Sequence, residues 1–307
     1  MAVHLALAGV GELTLVDRDV VSRENLHRQP VYALSDIGKS KAEVAAGFLS
    51  DRVPGLRARY RAESIDDESA SEILRGSDLA VDCLDNMAAR RALNSACVGA
   101  QVPLVHTGGI GWEVSEAVFW SPGTACLECL FPRGPDGASP LDADALPSCE
   151  QVGALGAVTG LVASLGAIDA IKLLIGEQPA SLGKMLVWDG RSGESQIVRI
   201  KRRAECGACG KSAPGRSRRE APRKGHGAVI ELCGGKEFYI RGAFPPGSFP
   251  MLGMGSGGRR TKMGESIIQA TVGDAEVSLF RTGGVLVKGV SSADEARRVA
   301  RAVGADA

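Results

Sequence analysis

Between residues 13 and 106 the sequence alternates short apolar strands with helical stretches, and no other feature constrains the fold as strongly. Strands are expected near 13–16, 56–62, 78–83 and 102–106. Helices are expected at 39–51, 67–75 and 87–99, after a few helical turns over 1–8 that end at Gly9 and Gly11. Strands and helices alternating at this spacing build a doubly wound, mostly parallel α/β sheet. The pattern then changes. Residues 113–120 read as an antiparallel strand, 149–176 as a helical region rich in small residues, and 184–188 with 196–200 as a hairpin.

The first strand ends on Asp17, and Asp19, Asn25, Arg28, Gln29 and Lys41 follow within one short stretch. An acid at the end of the second strand of a nucleotide-binding fold is where ribose hydroxyls are held. Two fixed cations and two amides beside it suit a polyphosphate, because Arg and Lys spread over phosphate oxygens. A nicotinamide dehydrogenase explains Asp17 but not the cations.

The third strand runs into Asp82-Cys83-Leu84-Asp85-Asn86. Carboxyl ends of parallel strands face the ligand crevice, so Asp85 is placed to hold Mg²⁺ beside phosphates. A helix N-cap for residues 87–99 is the competing role, and Asp85 and Asn86 could divide the two.

Eight cysteines occur in a chain with no N-terminal secretion pattern, which favours metal or catalytic roles over disulfides and places the protein in the cytoplasm. Cys126-Leu-Glu-Cys129 and Cys206-Gly-Ala-Cys209 are two C-x-x-C knuckles. Together they complete a closed four-sulfur zinc shell with a structural role. Two unrelated pairs, or a redox pair, are the alternatives. Cys149 follows a polar loop over 133–147 and opens a helix; a helix N-terminus favours thiolate, which suits a nucleophile receiving an activated acyl group. An ordinary cysteine near a helix start is the plainer reading. Cys83, Cys97 and Cys233 read as buried or incidental, and the four histidines form no metal or base pattern.

Formal charge is balanced at 36 basic and 36 acidic residues, and aromatics make up 4% of the chain, so nothing points to nucleic acid or an anionic membrane. The longest apolar run, 152–168, is Gly/Ala-rich and precedes Asp169 and Lys172; it reads as a core or dimer-interface helix rather than a membrane span. Residues 201–227 are basic and rich in breakers, a solvated linker. The domains expected are 1–210, a linker over 211–227, and a small α+β domain over 228–307 with a helix from about Ser292 capped by Ser or Asp.

Six segments in order, GVGELTLVDRDVVSRENLHRQ, GKSKAE, VDCLDN, ACLECLFP, PSCEQVGALGAVTGLVASLGAIDAIKLL and CGACG, resemble the ThiF/MoeB/HesA adenylyltransferases, prokaryotic relatives of ubiquitin-activating enzymes. The resemblance covers Met1 to about Gly210. It implies a Rossmann-like sheet, a homodimer, and ATP-dependent adenylation of the C-terminal carboxylate of a ubiquitin-like sulfur carrier ending in Gly-Gly. By position, Asp17 would bind ribose, and Asn25, Arg28, Gln29 and Lys41 the phosphates. Asp85 would hold Mg²⁺, and Asn86 and Arg90 would line the same pocket. Cys126, Cys129, Cys206 and Cys209 match the zinc ligands. Cys149 matches the cysteine that some members use for a thioester or persulfide. The C-terminal segment resembles an appendage of some members, without an assigned activity.

The sequence departs from this pattern at its start. Only sixteen residues precede Asp17, without the glycine-rich phosphate loop that lies about 20 residues before the ribose acid. A start codon assigned too far downstream is one explanation, a non-adenylating paralogue that binds the carrier or heterodimerises the other. For these 307 residues as they stand, weak or no ATP turnover and poor solubility are expected. Adenylation of a peptide or small carboxylate is a further alternative.

Overall fold

A computed structural model describes residues 1–133, 152–210, 228–231, 236–245, 248–249, 258–263 and 266–305. The polar loop after residue 133, Cys149, residues 211–227, Cys233 and the Gly-rich stretch at 251–257 lie outside them. The chain divides into two compact units, Met1–Gly9 with Ile65–Ala221, and Val10–Ser64 with Pro222–Ala307.

The first unit is built on a five-stranded sheet in the order β3 (Ala80–Asp82), β4 (Leu104–Ile110), β5 (Glu113–Phe119), β6 (Lys184–Asp189) and β7 (Ser195–Arg199). β3 and β4 run parallel, and the three remaining pairings are antiparallel. One face carries α3 (Ser69–Ile73), α4 (Met87–Ala100) and α5 (Leu127–Leu130), packed through Leu74, Leu93, Cys97, Leu104, Ala117, Phe119 and Leu127. The other carries α6 (Gly156–Leu174), whose Val158 and Val162 meet Val114 and the partly buried Trp188. Strand alternation explains the division: even-numbered positions of β5 face α6, and Ala117 and Phe119 face α4. α6 runs close to β4 because Gly166 has no side chain; a Cβ there would come within 2.6 Å of Thr107 Cγ2. By length and composition α6 could cross a membrane, yet it buries Asp169 against this sheet. α1 (Ala2–Leu7) also packs on α6.

The second unit contains β1 (Glu12–Val16) paired in parallel with β2 (Arg57–Arg61), joined through α2 (Lys41–Ser50). Ser40 caps α2 by accepting from the Glu43 N–H. The rest is a six-stranded antiparallel sheet, β10 (Arg259–Met263), β11 (Ile267–Val272), β12 (Ala275–Phe280), β13 (Val285–Lys288), β9 (Glu237–Arg241) and β8 (Ala228–Glu231), with α7 (Ala293–Ala302) packed on it. Ser292 caps α7. The strand pair and this sheet share a core. Ala62 and Val20 pack against Tyr239, Ile267, Phe280 and Leu286, and Tyr60 Oη bonds Ser266 Oγ at 3.0 Å.

The expected helix–strand alternation is therefore present, in a mixed α/β fold with parallel strand pairing. Parallel pairing occurs at β1–β2 and β3–β4, in separate sheets. The short connection from Ile110 to Glu113 forces β5 to return antiparallel, because parallel strands need a long crossover. β3 stops at Asp82, and of the cysteines read as buried or incidental, Cys83 stands exposed. Cys97 is buried as expected.

Candidate functional site

The expected nucleotide residues fall on both units. On the second, the chain leaves β1 at Asp17, whose Oδ1 accepts the Asp19 N–H at 2.8 Å. The segment then pairs with residues 38–41: Val21 N donates to Lys39 O, Gly38 N to Val21 O, and Lys41 N to Asp19 O. This pairing brings Lys41 Nζ to 2.8 Å from Asp19 Oδ2, with the lysine side chain 8% exposed. Burial resists ionisation of Asp19, but Lys41 outweighs it and holds the carboxyl below its ordinary value. Tyr32 Oη donates to Lys41 O at 3.3 Å; burial, then the charges of Asp17 and Asp19, push its phenol up. Asn25 is committed to a turn, accepting from Ser22 Oγ at 3.0 Å. Arg28 uses one of its five donors on Glu24 O. Gln29 Oε1 is buried with no hydrogen-bond partner among the described residues.

On the first unit, Asn86 takes the cap: its Oδ1 accepts the Ala89 N–H at 2.8 Å. Asp85 is thereby released, exposed at the end of β3, with its Oδ1 receiving only Asn86 Nδ2 at 3.1 Å among the described residues. Mg²⁺ keeps several waters and takes one or two carboxylates plus substrate phosphates, so such a carboxylate fits it. Arg90 is engaged inward. Its Nη1 donates to Asp82 Oδ2 at 2.9 Å and its Nη2 to Leu84 O.

Two groups here escaped the sequence reading. His106 sits opposite Asp82 in the β3–β4 register, its Nδ1 2.7 Å from Asp82 Oδ2. Burial drives its pKa down despite that carboxylate, so the ring is neutral. Nδ1 also lies 2.6 Å from Arg90 Nη1, closer than Nε2 at 3.4 Å. Because Nδ1 and Nη1 both reach the anionic Asp82 Oδ2, the stronger acceptor, we assign the Nδ1–H tautomer, which donates to Asp82. On the other face of the sheet Ser181 Oγ lies 2.9 Å from Glu116 Oε1 and 2.5 Å from Asp169 Oδ2. Burial raises the Glu116 carboxyl to about 7.

Cys126, Cys129, Cys206 and Cys209 converge, all buried, with every sulfur within 4.8 Å of the others. Cys126 and Cys206 sulfurs are 3.7 Å apart, Cys129 and Cys209 sulfurs 3.4 Å. Zn–S bonds of about 2.3 Å in a tetrahedron require S···S edges of about 3.8 Å, so the cluster has the size of a metal site. The thiols share protons: hydrogen bonds from Cys126 and Cys129 draw Cys206 toward thiolate, while bonding to Cys129 and Cys206 keeps Cys126 protonated. Arg91 Nη1, bonded to Glu128 Oε2 at 2.5 Å, ties the first knuckle to α4.

The sequence model of the ThiF family matches residues 1–208. "Adenylyltransferase and sulfurtransferase MOCS3" of Caenorhabditis briggsae is 34% identical over 212 residues, covering 68% of this chain and 51% of that protein. Its Mus musculus namesake is 35% identical, covering 68% of this chain and 45% of that protein. "SAMP-activating enzyme E1" of Haloferax volcanii is 36% identical over 207 residues, covering 67% and 74%. The chain thus spans about half the length of its MOCS3 relatives. Among solved structures, E. coli MccB with ATP superposes with a TM-score of 0.58 at 24% identity, covering 68% of this chain and 62% of that one, a likeness of fold.

Proposed function

The chain belongs to the ThiF family, and from that premise we propose that it adenylates the C-terminal carboxylate of a small ubiquitin-like sulfur carrier ending in Gly-Gly. The observation that carries the proposal is the Asp17–Asp19–Lys41 arrangement, an acid for ribose beside a nearly buried ammonium already paired with a carboxylate. The names of the MOCS3 and SAMP-activating relatives support the reaction and the class of partner.

In this reading the carrier carboxylate attacks the α-phosphorus of ATP and pyrophosphate leaves. Positioning and fixed charge suffice for such a step. Asp17 holds ribose hydroxyls. Lys41 and Arg28 neutralise charge that develops toward the leaving pyrophosphate, and Asn25 and Gln29 supply neutral polar contacts. Asp85 would hold Mg²⁺, which supplies further charge neutralisation when bound. Arg90, engaged with Asp82 and Leu84 O, acts as a support for the Asp85 turn rather than as a phosphate ligand. The four-cysteine cluster would hold Zn²⁺ in a closed, structural shell, with no position left for chemistry.

Three further assignments accompany this. Residues 1–210 form the adenylation domain, 211–227 a linker and 228–307 an appended domain; an excised 1–210 that failed to bind ATP when the full protein did would end that division. Cys149 receives the activated acyl group; a Cys149→Ser protein that still formed a thiol-labile conjugate would remove it. The protein is a cytoplasmic homodimer joined through α6, where Leu161 and Ile168, with Ile175 at the C-cap, are exposed apolar residues at seven-residue spacing; light scattering that gave a monomer would end that assignment. The reaction itself is tested by ATP–pyrophosphate exchange with protein isolated from its own cells. Exchange that requires a Gly-Gly-ended carrier is expected; exchange absent with every such carrier tried would overturn it.

A further inference from the structure

The turn that carries Asp85 is held from beneath by a buried polar network. Asp82 is fully buried and has three donors. His106 Nδ1 lies at 2.7 Å and Arg90 Nη1 at 2.9 Å from Oδ2, and the Leu84 N–H at 2.9 Å from Oδ1. Arg90 Nη2 grips the carbonyl of the same Leu84, and Thr107 Oγ1 donates to Asp82 O at 2.9 Å. Both backbone polar groups of Leu84, the residue before Asp85, are thus fixed through Asp82 and Arg90. His106 and Thr107 both come from β4; of the two, His106 is the one that reaches the Asp82 carboxylate. A buried carboxylate facing one guanidinium needs its remaining lone pairs satisfied, and the imidazole N–H does so without adding a second positive charge.

We propose that His106 is a positioning residue: by orienting Asp82 and Arg90 it fixes the turn 83–85 and so places the Asp85 carboxylate for a divalent cation. The proposal rests on Asp85 as the cation ligand. Groups that orient a metal ligand from behind typically contribute about 10- to 100-fold to metal affinity. His106 stands one step further back than usual, so the lower end of that range is expected. An asparagine at 106 keeps an N–H donor near the position of Nδ1, whereas leucine keeps bulk and loses the donor.

The test is Mn²⁺ binding in the presence of ATP, followed by electron paramagnetic resonance, on the full protein expressed in its source organism. His106→Leu is expected to weaken Mn²⁺ binding about tenfold, His106→Asn to restore most of it, and Asp85→Asn to abolish it. Should leucine prevent folding, His106→Asn and His106→Gln carry the comparison, with asparagine expected to bind better. Asp85→Asn losing Mn²⁺ while every His106 variant binds as the parent does would overturn the positioning role and leave Asp85 as ligand. Asp85→Asn binding normally would overturn the ligand assignment, and the proposal with it.

Discussion

Lys41 Nζ and Asp19 Oδ2 lie 2.8 Å apart, and the lysine is the more deeply buried partner. The pair is built by the backbone, because Lys41 N donates to Asp19 O in the same step that begins α2. A buried ammonium needs a counter-charge, and Asp19 supplies it until phosphate does. Lys41→Met is expected to reduce pyrophosphate exchange at least a hundredfold. It should also destabilise the protein by about 2 kcal/mol, because Asp19 is left half-buried and unpaired. Urea unfolding and exchange rates on the same preparation check both.

The same pair sets a dependence on pH. The folded-state carboxyl of Asp19 lies below its ordinary value of 3.8, so its contribution is complete above that value and is lost as pH falls through the folded one. Asp19→Asn should therefore flatten the acid limb of the stability curve. An unchanged limb in urea titrations would show that other carboxylates dominate there.

Glu116 has the opposite sign. Ser181 has one hydroxyl proton and two carboxyl groups beside it, so one of these groups must carry a proton. Asp169 also accepts the N–H groups of Ala180 and Ser181 and faces Lys172, which leaves it no lone pair in need of a further proton. The proton thus belongs to Glu116. Its carboxyl is raised from 4.5 to about 7, so stability is complete below the lower value and is lost as pH rises through the higher. Over the whole interval the loss is on the order of 3 kcal/mol. Glu116→Gln, which can donate to Ser181 at every pH, is expected to abolish it, as thermal unfolding between acid and alkaline buffers would reveal.

Removing the metal is expected to cost more than any of these changes. The cluster joins the segment around α5 to residues 206–209, and without an ion its sulfurs would share protons inside a dry site. One zinc ion per chain is expected by elemental analysis. Cys206→Ser should lose the metal and aggregate; a stable, metal-free Cys206→Ser protein would contradict the structural role.

The sequence made some of this legible and hid the rest for physical reasons. The convergence of Cys126, Cys129, Cys206 and Cys209 was readable because paired C-x-x-C knuckles are local signals whose chemistry admits few uses. The order of strands and helices was readable from local pattern, whereas that pattern leaves the N-cap open between Asp85 and Asn86, and the structure gives it to Asn86. His106 was not, because its partner Asp82 lies on another strand and only the β3–β4 register brings them together. Glu116 sits in a strand whose alternation suggests an outward-facing acid; α6 covers that face, and nothing local announces it. Which strands pair was not legible, because helix–strand alternation fixes element type, while pairing partners depend on tertiary contacts.

The central claim is tested most directly by the intact mass of a Gly-Gly-ended carrier after incubation with ATP, Mg²⁺ and the protein isolated from its own cells. The account predicts a carrier heavier by one adenylyl group, absent when the terminal glycine is removed and absent with Lys41→Met. A carrier of unchanged mass, with ATP intact under conditions where the protein is folded and zinc-loaded, would contradict it.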